Sequence, residues 1–316
     1  MGAPAPLIST DQAPAPQGGE AEWFHGADRA PLRAAWFPLH GARGSVIVSP
    51  GRTEPIEKYF EVVDELRSRG FAVLVHDWRG QGLSHRMLAD RLRGHAEGLD
   101  PFLSDHSILL DAFAGRMPRP WIALAHSMGG ALVLAALVRG ESRLDAAILT
   151  APMVGVPTGA PSSAARLVVS AMRMLGRSTA NVFGAPDPLA ETFANNQLTH
   201  DPVRYQRYKA QLKACPDLAV GGLTWAWLDF ALDVEAAVAA PGALEVVTIP
   251  TAIVAAGEEH IVLSEPIRTT ARRLPNCSYV EVPGARHEIL METDDKRAIF
   301  WTAFDALAAE VSPPRA

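Results

Sequence analysis

Trp121-Ile122-Ala123-Leu124-Ala125-His126-Ser127-Met128-Gly129-Gly130 is the stretch from which the rest of the chain can be read. Trp121 to Ala125 is a short apolar run of strand length, and Met128 to Arg139 reads as a helix closed by Gly140. Only a tight turn fits between them, and Ser127 stands at its tip. A serine so placed lifts its hydroxyl above the carboxyl edge of a sheet. The residues two before and two after it must be small, because strand and helix pass close together there. Those positions hold Ala125 and Gly129. Ala125 departs from the glycine of a strict G-x-S-x-G pattern but stays small. The turn also sets Ser127 at a helix N-terminus, where backbone donors favour a developing oxyanion, so the Met128 N–H is the expected first donor.

Outward from this turn, short apolar or β-branched runs alternate with helical patterns. Strands are expected at Ser45 to Ser49, Phe71 to His76, Ala146 to Thr150, Thr251 to Ala256 and Ser278 to Val282. Helices are expected at Pro55 to Arg69, Ser104 to Gly115, Glu265 to Leu274 and Asp295 to Val311. Such alternation implies a parallel sheet with helices on both faces, an α/β architecture. It breaks between about Pro152 and Leu244, where no clean strand can be read. The division that follows is a flexible leader at 1–20, a first core part at 21–151, a mainly helical insertion at 152–245 and a second core part at 246–316. The leader reading rests on the Ala, Pro and Gly of Met1 to Gly19, which has neither a basic start nor a signal-length apolar run.

Composition narrows the function. Of the 316 residues 48% are apolar, enough for a large core, and the formal net charge of −6 argues against a nucleic-acid binder. Two cysteines, Cys215 and Cys277, lie far apart with no CxxC or histidine spacing, so neither a disulfide framework nor a zinc site is expected, and idle thiols fit a reducing compartment. No run of about 18 apolar residues suggests a membrane span. Gly80-Gln81-Gly82 lacks the third glycine and the following helix of a dinucleotide fingerprint. No cofactor and no metal are therefore expected.

A serine hydroxyl needs a general base, and that base needs an orienting carboxylate. His287, in Gly284-Ala285-Arg286-His287-Glu288 just after the last strand, is placed to reach over the sheet edge; His260 is the weaker choice. The acid belongs in the loop after Thr251 to Ala256, which reads Gly257-Glu258-Glu259-His260-Ile261-Val262. That loop has no Asp, so the carboxylate is Glu258 or Glu259, and register favours Glu259. The second oxyanion donor should come from Pro50-Gly51-Arg52-Thr53-Glu54, where Gly51 allows close approach to substrate and the Arg52 N–H is the choice. The Arg52 side chain either meets an anionic group on the substrate or is a surface arginine on a turn.

Together these residues resemble the monoacylglycerol lipase and lysophospholipase branch of the α/β-hydrolases, also filed among serine-aminopeptidase-like hydrolases. Within that branch the chain is most similar to the bacterial inner-membrane lysophospholipases. The stretches that carry this are Ser49 to Glu54, His76-Asp77-Trp78-Arg79-Gly80-Gln81-Gly82-Leu83-Ser84, Leu124 to Gly130, Leu149-Thr150-Ala151-Pro152-Met153 and Gly284 to Leu290. Leu198 to Tyr205 and Gly221 to Leu228 add to it inside the insertion. Pro-Gly-Arg in place of His-Gly at the oxyanion loop, and Glu in place of Asp as acid, both point to the lysophospholipase group. The resemblance implies the α/β-hydrolase fold, a catalytic triad, a cap over Ser127, and structural roles for Asp77 and Arg79. The substrate implied is a single-chain lipid or another small-molecule ester. A small-ester carboxylesterase, an aminopeptidase-like amide hydrolase and a non-catalytic scaffold remain as alternatives.

Within the cap, Ala165 to Arg177 is amphipathic. Either its apolar side touches lipid, giving a cytoplasmic protein in peripheral contact with the inner membrane face, or it packs on the core with a solvated basic face, which the pattern favours. Trp225, Trp227 and Phe230 either line an acyl pocket or pack the cap.

Overall fold

The structure, a computed structural model, describes residues 2–184 and 187–313. Its frame is one nine-stranded sheet. In chain order the strands are β1 (Ala3–Ala5), β2 (Glu20–His25), β3 (Pro31–Phe37), β4 (Ser45–Ser49), β5 (Ala72–His76), β6 (Trp121–His126), β7 (Ala146–Thr150), β8 (Thr251–Ala256) and β9 (Cys277–Val282). Across the sheet the order is β1-β2-β3-β5-β4-β6-β7-β8-β9. The strands from β4 to β9 run parallel, and β1 to β3 extend one edge antiparallel.

Both faces are covered, and alternation within each strand assigns the residues. Val46, Val48, Ile122 and Leu124 pack on one side with α1 (Phe60–Ser68) and α8 (Asp294–Val311). Ile47, Ala123 and Ala125 pack on the other with α2 (Asp100–Phe113) and α3 (Ser127–Val138). From Ser127 to Leu137 every residue of α3 is buried. Its sequence is accordingly apolar all round, because the helix is enclosed by sheet, α2 and insertion. The resulting architecture is the one that the α/β-hydrolase resemblance implies.

Three expectations are corrected. The segment read as a loose leader is docked. β1 pairs with β2, the Pro6 carbonyl accepts from Arg33, and the Ile8 N–H donates to Glu57 at 3.1 Å. The physical cause is Arg33, fully buried on β3, whose guanidinium forks onto Glu57 (2.8 and 2.7 Å) and reaches Asp77 at 2.8 Å. A buried cation needs every donor satisfied, and the leader supplies one acceptor. The helix expected from Ser104 begins at Asp100, because Pro101 presets the first turn. Asp105 is therefore inside α2, where its carboxylate takes Arg79 (2.6 and 2.9 Å) and the Ala27 N–H.

The third correction concerns the insertion between β7 and β8. It is helical as expected, with α4 (Ser162–Met174), α5 (Pro202–Ala214) and α6 (Trp225–Ala239), followed by α7 (Ser264–Arg273) after β8. Asp201 caps α5 ahead of Pro202, and Thr224 caps α6. The amphipathic helix does not lay its apolar side on the core, however. Leu167, Met174 and Leu175 are 70% or more exposed, while Ala165 and Val169 alone are buried in α4 and Arg166 turns to Asp233 at 2.8 Å. No helix among the described residues is long and apolar enough to cross a membrane.

Candidate active site

The turn from β6 into α3 holds Ser127 at φ 49°, a left-handed conformation that a side-chain-bearing residue rarely adopts. Gly129 makes the close passage possible. A Cβ there would fall 2.2 Å from the Ser49 carbonyl oxygen and 2.4 Å from that of Pro50. Ala125, two residues before the serine, fits without exposure opposite Ser49 on β4.

His287 lies in the loop after β9 and Glu259 in the loop after β8, so two neighbouring strand ends deliver them to the serine. Ser127 Oγ is 2.8 Å from His287 Nε2, and His287 Nδ1 is 2.8 Å from Glu259 Oε2. A carboxylate only accepts, so Nδ1 carries the proton and Nε2 is free to accept from the serine hydroxyl. The other Glu259 oxygen takes the N–H groups of Ile261 (2.8 Å) and Val262 (3.2 Å). Burial alone would raise this carboxyl, but the hydrogen bond and charge of His287 with those two amides hold it below the usual range. Glu258 points elsewhere, toward His200 (3.4 Å), His260 (3.5 Å) and Arg286 (3.7 Å), and is partly exposed. His260 is exposed and does not approach the serine.

On the oxyanion side, the Met128 and Arg52 amides have no acceptor among the described residues. Both Arg52 and Ser127 line the same cavity. Gly51, expected to touch substrate, does not line it. Its N–H is taken by Glu54 Oε2 at 2.6 Å, and a Cβ at this position would come 3.3 Å from that of Ser127 and 3.0 Å from the His126 ring. Gly51 therefore lets the backbone pass rather than contacting a ligand.

Sequence reasoning missed a buried charge cluster behind this loop. Lys58 sits between Glu54 (2.8 Å) and Glu288 (2.5 Å), and Tyr59 donates to Glu54 at 2.6 Å. Burial opposes ionisation of Glu54, yet Lys58 and the nearby His126 hold it down to about 2. Burial likewise opposes the Lys58 ammonium, but the two carboxylates push its pKa up. The i,i+4 spacing of Glu54, at the end of the quoted loop, and Lys58, in the helix expected after it, was a signal. Nothing local announced Glu288 as their third member or Tyr208 as a cavity wall.

The insertion closes the site into a cavity of about 990 Å³. Near Ser127 its wall is mostly polar, with Glu54, His126, Tyr208 and Glu288 beside Met153; toward the cap it is apolar, with Val156, Val168, Leu223, Trp225 and Leu228. Trp225 and Trp227 line it, whereas Phe230 is buried against Phe102, with ring centroids 4.5 Å apart. His95, in the loop Arg93-Gly94-His95, braces the Thr224 cap of α6 at 3.0 Å.

The family model described as serine aminopeptidase, S33, matches residues 40–294, which span the serine, the histidine, both glutamates and the whole insertion. The chain belongs to this S33 family. It is 36% identical to lysophospholipase L2 of Escherichia coli (strain K12) over 296 residues, 90% of this chain and 85% of that protein. It is 25% identical to a monoacylglycerol lipase of Mycolicibacterium smegmatis over 264 residues, 83% and 87% of the two chains. Among solved structures, a soluble variant of monoglyceride lipase from Saccharomyces cerevisiae superposes with a TM-score of 0.73 at 18% identity, covering 97% of this chain and 99% of that one. This likeness establishes the α/β-hydrolase fold for this S33 chain.

Proposed function

We propose that this chain hydrolyses acyl esters of single-chain lipids, in the manner of a lysophospholipase or monoacylglycerol lipase, through an acyl-enzyme on Ser127. The observation that carries the reading is the relay of two 2.8 Å contacts from Ser127 through His287 to Glu259, at the floor of a deep and mostly apolar cavity. His287 takes the serine proton as Oγ attacks the ester carbonyl, and Glu259 fixes the ring and stabilises the imidazolium. The Met128 and Arg52 amides receive the oxyanion. His287 then protonates the leaving alcohol, and water reverses the sequence. No residue in this scheme needs a metal or cofactor. The names of the E. coli and Mycolicibacterium relatives support the substrate class. The apolar cap wall supplies room for an alkyl chain, with Trp225 and Trp227 along it.

The cap also carries a surface suited to lipid. Leu167, Val168, Met174 and Leu175 are exposed on and just beyond α4, and Val168 belongs to the cavity wall as well. An apolar patch continuous with a lipid-sized cavity supports peripheral contact with a membrane face, through which substrate passes into the site.

The test is turnover of lysophospholipids, monoacylglycerols, short-chain esters and an aminoacyl anilide by wild type and Ser127→Ala. The expected result is cleavage of the single-chain lipids and loss of that activity in the folded variant. Preference for the anilide, or unchanged turnover by Ser127→Ala, overturns the proposal. For the surface, Leu167→Glu with Met174→Glu should reduce co-sedimentation with lipid vesicles while turnover of a soluble short-chain ester persists.

A further inference from the structure

Among the described residues that line the active-site cavity, Arg52 is the one lysine or arginine, and it forms no ion pair with any of them. Its guanidinium is nonetheless fixed. Nη2 donates to the Gly221 carbonyl, and Cζ lies 5.2 Å from the centre of the Trp227 ring. Gly94 flanks it so closely that a Cβ there would come within 2.7 Å of Nη2 and 3.3 Å of the Gly222 carbonyl oxygen. Nε is sealed without an acceptor, and Nη1, which is not sealed, has no acceptor among the described residues. A fitted slot therefore presents a cation and leaves its charge unmet, a costly arrangement unless an anion joins it.

Resting on the single-chain lipid reading above, we propose that the Arg52 guanidinium is a binding subsite for the phosphodiester of a lysophospholipid head group. Reach favours this ligand. The Arg52 amide is the proposed oxyanion donor, and its side chain spans a length comparable to the glycerol that separates the scissile carbonyl from the phosphate of a lysophospholipid. With Nη2 committed and Nε sealed, Nη1 is left to donate one charge-assisted hydrogen bond to a phosphate oxygen. The nearby carboxylates do not compete for it, since Glu54 and Glu288 share Lys58. Burial pushes the Arg52 guanidinium down to about 10, a penalty that a bound phosphate relieves. Asp187 and Glu191, exposed on the outer wall, make an anionic rim that repels a free anion and accepts a head group carrying its own ammonium.

The experiment compares lysophosphatidylcholine with a monoacylglycerol of the same chain in wild type, Arg52→Lys and Arg52→Met. Because the backbone donor serves both substrates, the ratio of their kcat/KM values isolates the side chain. Arg52→Met should lower that ratio about 10- to 100-fold, the size of a charge-assisted hydrogen bond, with Arg52→Lys in between. An unchanged ratio overturns the subsite. Calorimetric binding of sn-glycero-3-phosphocholine to the wild-type protein reads the same site without turnover or a variant. It should bind more tightly than glycerol and more tightly than inorganic phosphate. Equal binding of glycerol means no phosphate subsite, and equal binding of inorganic phosphate means a general anion site; either result overturns the assignment. If wild type cleaves neither lipid, the lipid-hydrolase reading fails, and the binding measurement repeated with Arg52→Met, which should weaken binding of the phosphodiester about 10-fold or more, still decides on Arg52.

Discussion

Replacing Glu259 by glutamine keeps the size of the side chain and removes only its charge and one acceptor, so its effect can be worked from the contacts. In one amide orientation, the oxygen keeps the Ile261 and Val262 N–H groups, and the NH2 meets His287 Nδ1. Nδ1 must then accept, the ring proton moves to Nε2, and the histidine can no longer take a proton from Ser127. In the flipped orientation the oxygen faces Nδ1, but the NH2 confronts two backbone donors. Leaving two backbone donors without an acceptor costs about 1–3 kcal/mol each, so the first orientation is favoured. The wrong tautomer should therefore dominate, and kcat should fall by roughly 10⁴, the size known for the equivalent carboxylate-to-amide change in another serine–histidine–carboxylate triad.

Glu258→Gln is the matched control. Its partners His200, His260 and Arg286 lie 3.4–3.7 Å away at the surface, and contacts of that kind are worth no more than about 1 kcal/mol. Its kcat should stay within a few-fold of wild type. The assay is steady-state hydrolysis of a short-chain aryl ester, with circular dichroism to show that both variants fold. A Glu259→Gln enzyme retaining more than a tenth of wild-type kcat, or a Glu258→Gln enzyme as slow as its neighbour, would refute the assignment.

Three further outcomes are expected. Gly129→Ala forces a Cβ against two backbone oxygens at 2.2 and 2.4 Å, so it should lose at least the upper part of the usual 1–3 kcal/mol for overpacking and most esterase activity. Gly130→Ala, where the nearest atom is the Pro152 side chain at 3.1 Å, should lose less, and thermal melts with ester turnover compare the two. Lys58→Met leaves Glu54 and Glu288 buried together without their cation. A loss of about 3–5 kcal/mol in urea unfolding is expected, and a change under 1 kcal/mol would show that the cluster does not hold its charges as described. Finally, burial pushes His106 and His126 down to about 4, against 6.5 in an unfolded chain. Between those values the unfolded chain binds protons that the folded chain refuses, so stability should fall as pH drops from 6.5 toward 4, by up to roughly 3 kcal/mol per histidine. Melting temperatures that stay level across that window would contradict this.

What could be read from the sequence was what contiguous residues decide. β4, β7 and β8 have the bounds that their apolar runs suggest, because a strand buried on both faces is spelled out in one short stretch. Ser127 and Glu259 were singled out for the same reason, each standing just after such a strand, and His287 was singled out by its place in the loop after β9, the last strand. The N-terminal strands were missed because their burial depends on distant partners. Arg33 looks like a surface residue until Glu57 and Asp77 are brought to it. The outward apolar side of α4 was missed for a related reason. Periodicity shows that a helix has two sides, but the packing of Ala165 and Val169 on Leu228 and Leu232 of α6, partners distant in sequence, sets which one turns inward.

That cluster around Lys58 gives the oxyanion loop a property that no local motif contains. Glu54 captures the Gly51 amide, and Trp78 donates to the Pro50 carbonyl at 2.9 Å, so both ends of the Pro50–Gly51 peptide group are already committed. The Arg52 amide, next along the chain, has no acceptor among the described residues, which suits the donor role proposed for it. Lys58 then ties Glu54 to Glu288, the residue next to His287. The loop of the proposed oxyanion donor and the loop of the proposed base are thus braced by one buried ammonium. Donors fixed before the substrate arrives need no reorganisation as charge develops, which is where such donors gain their effect. It follows that Lys58 acts as a positioning residue. In any Lys58 variant that still folds, kcat should fall more than KM rises, since the oxyanion exists only after attack.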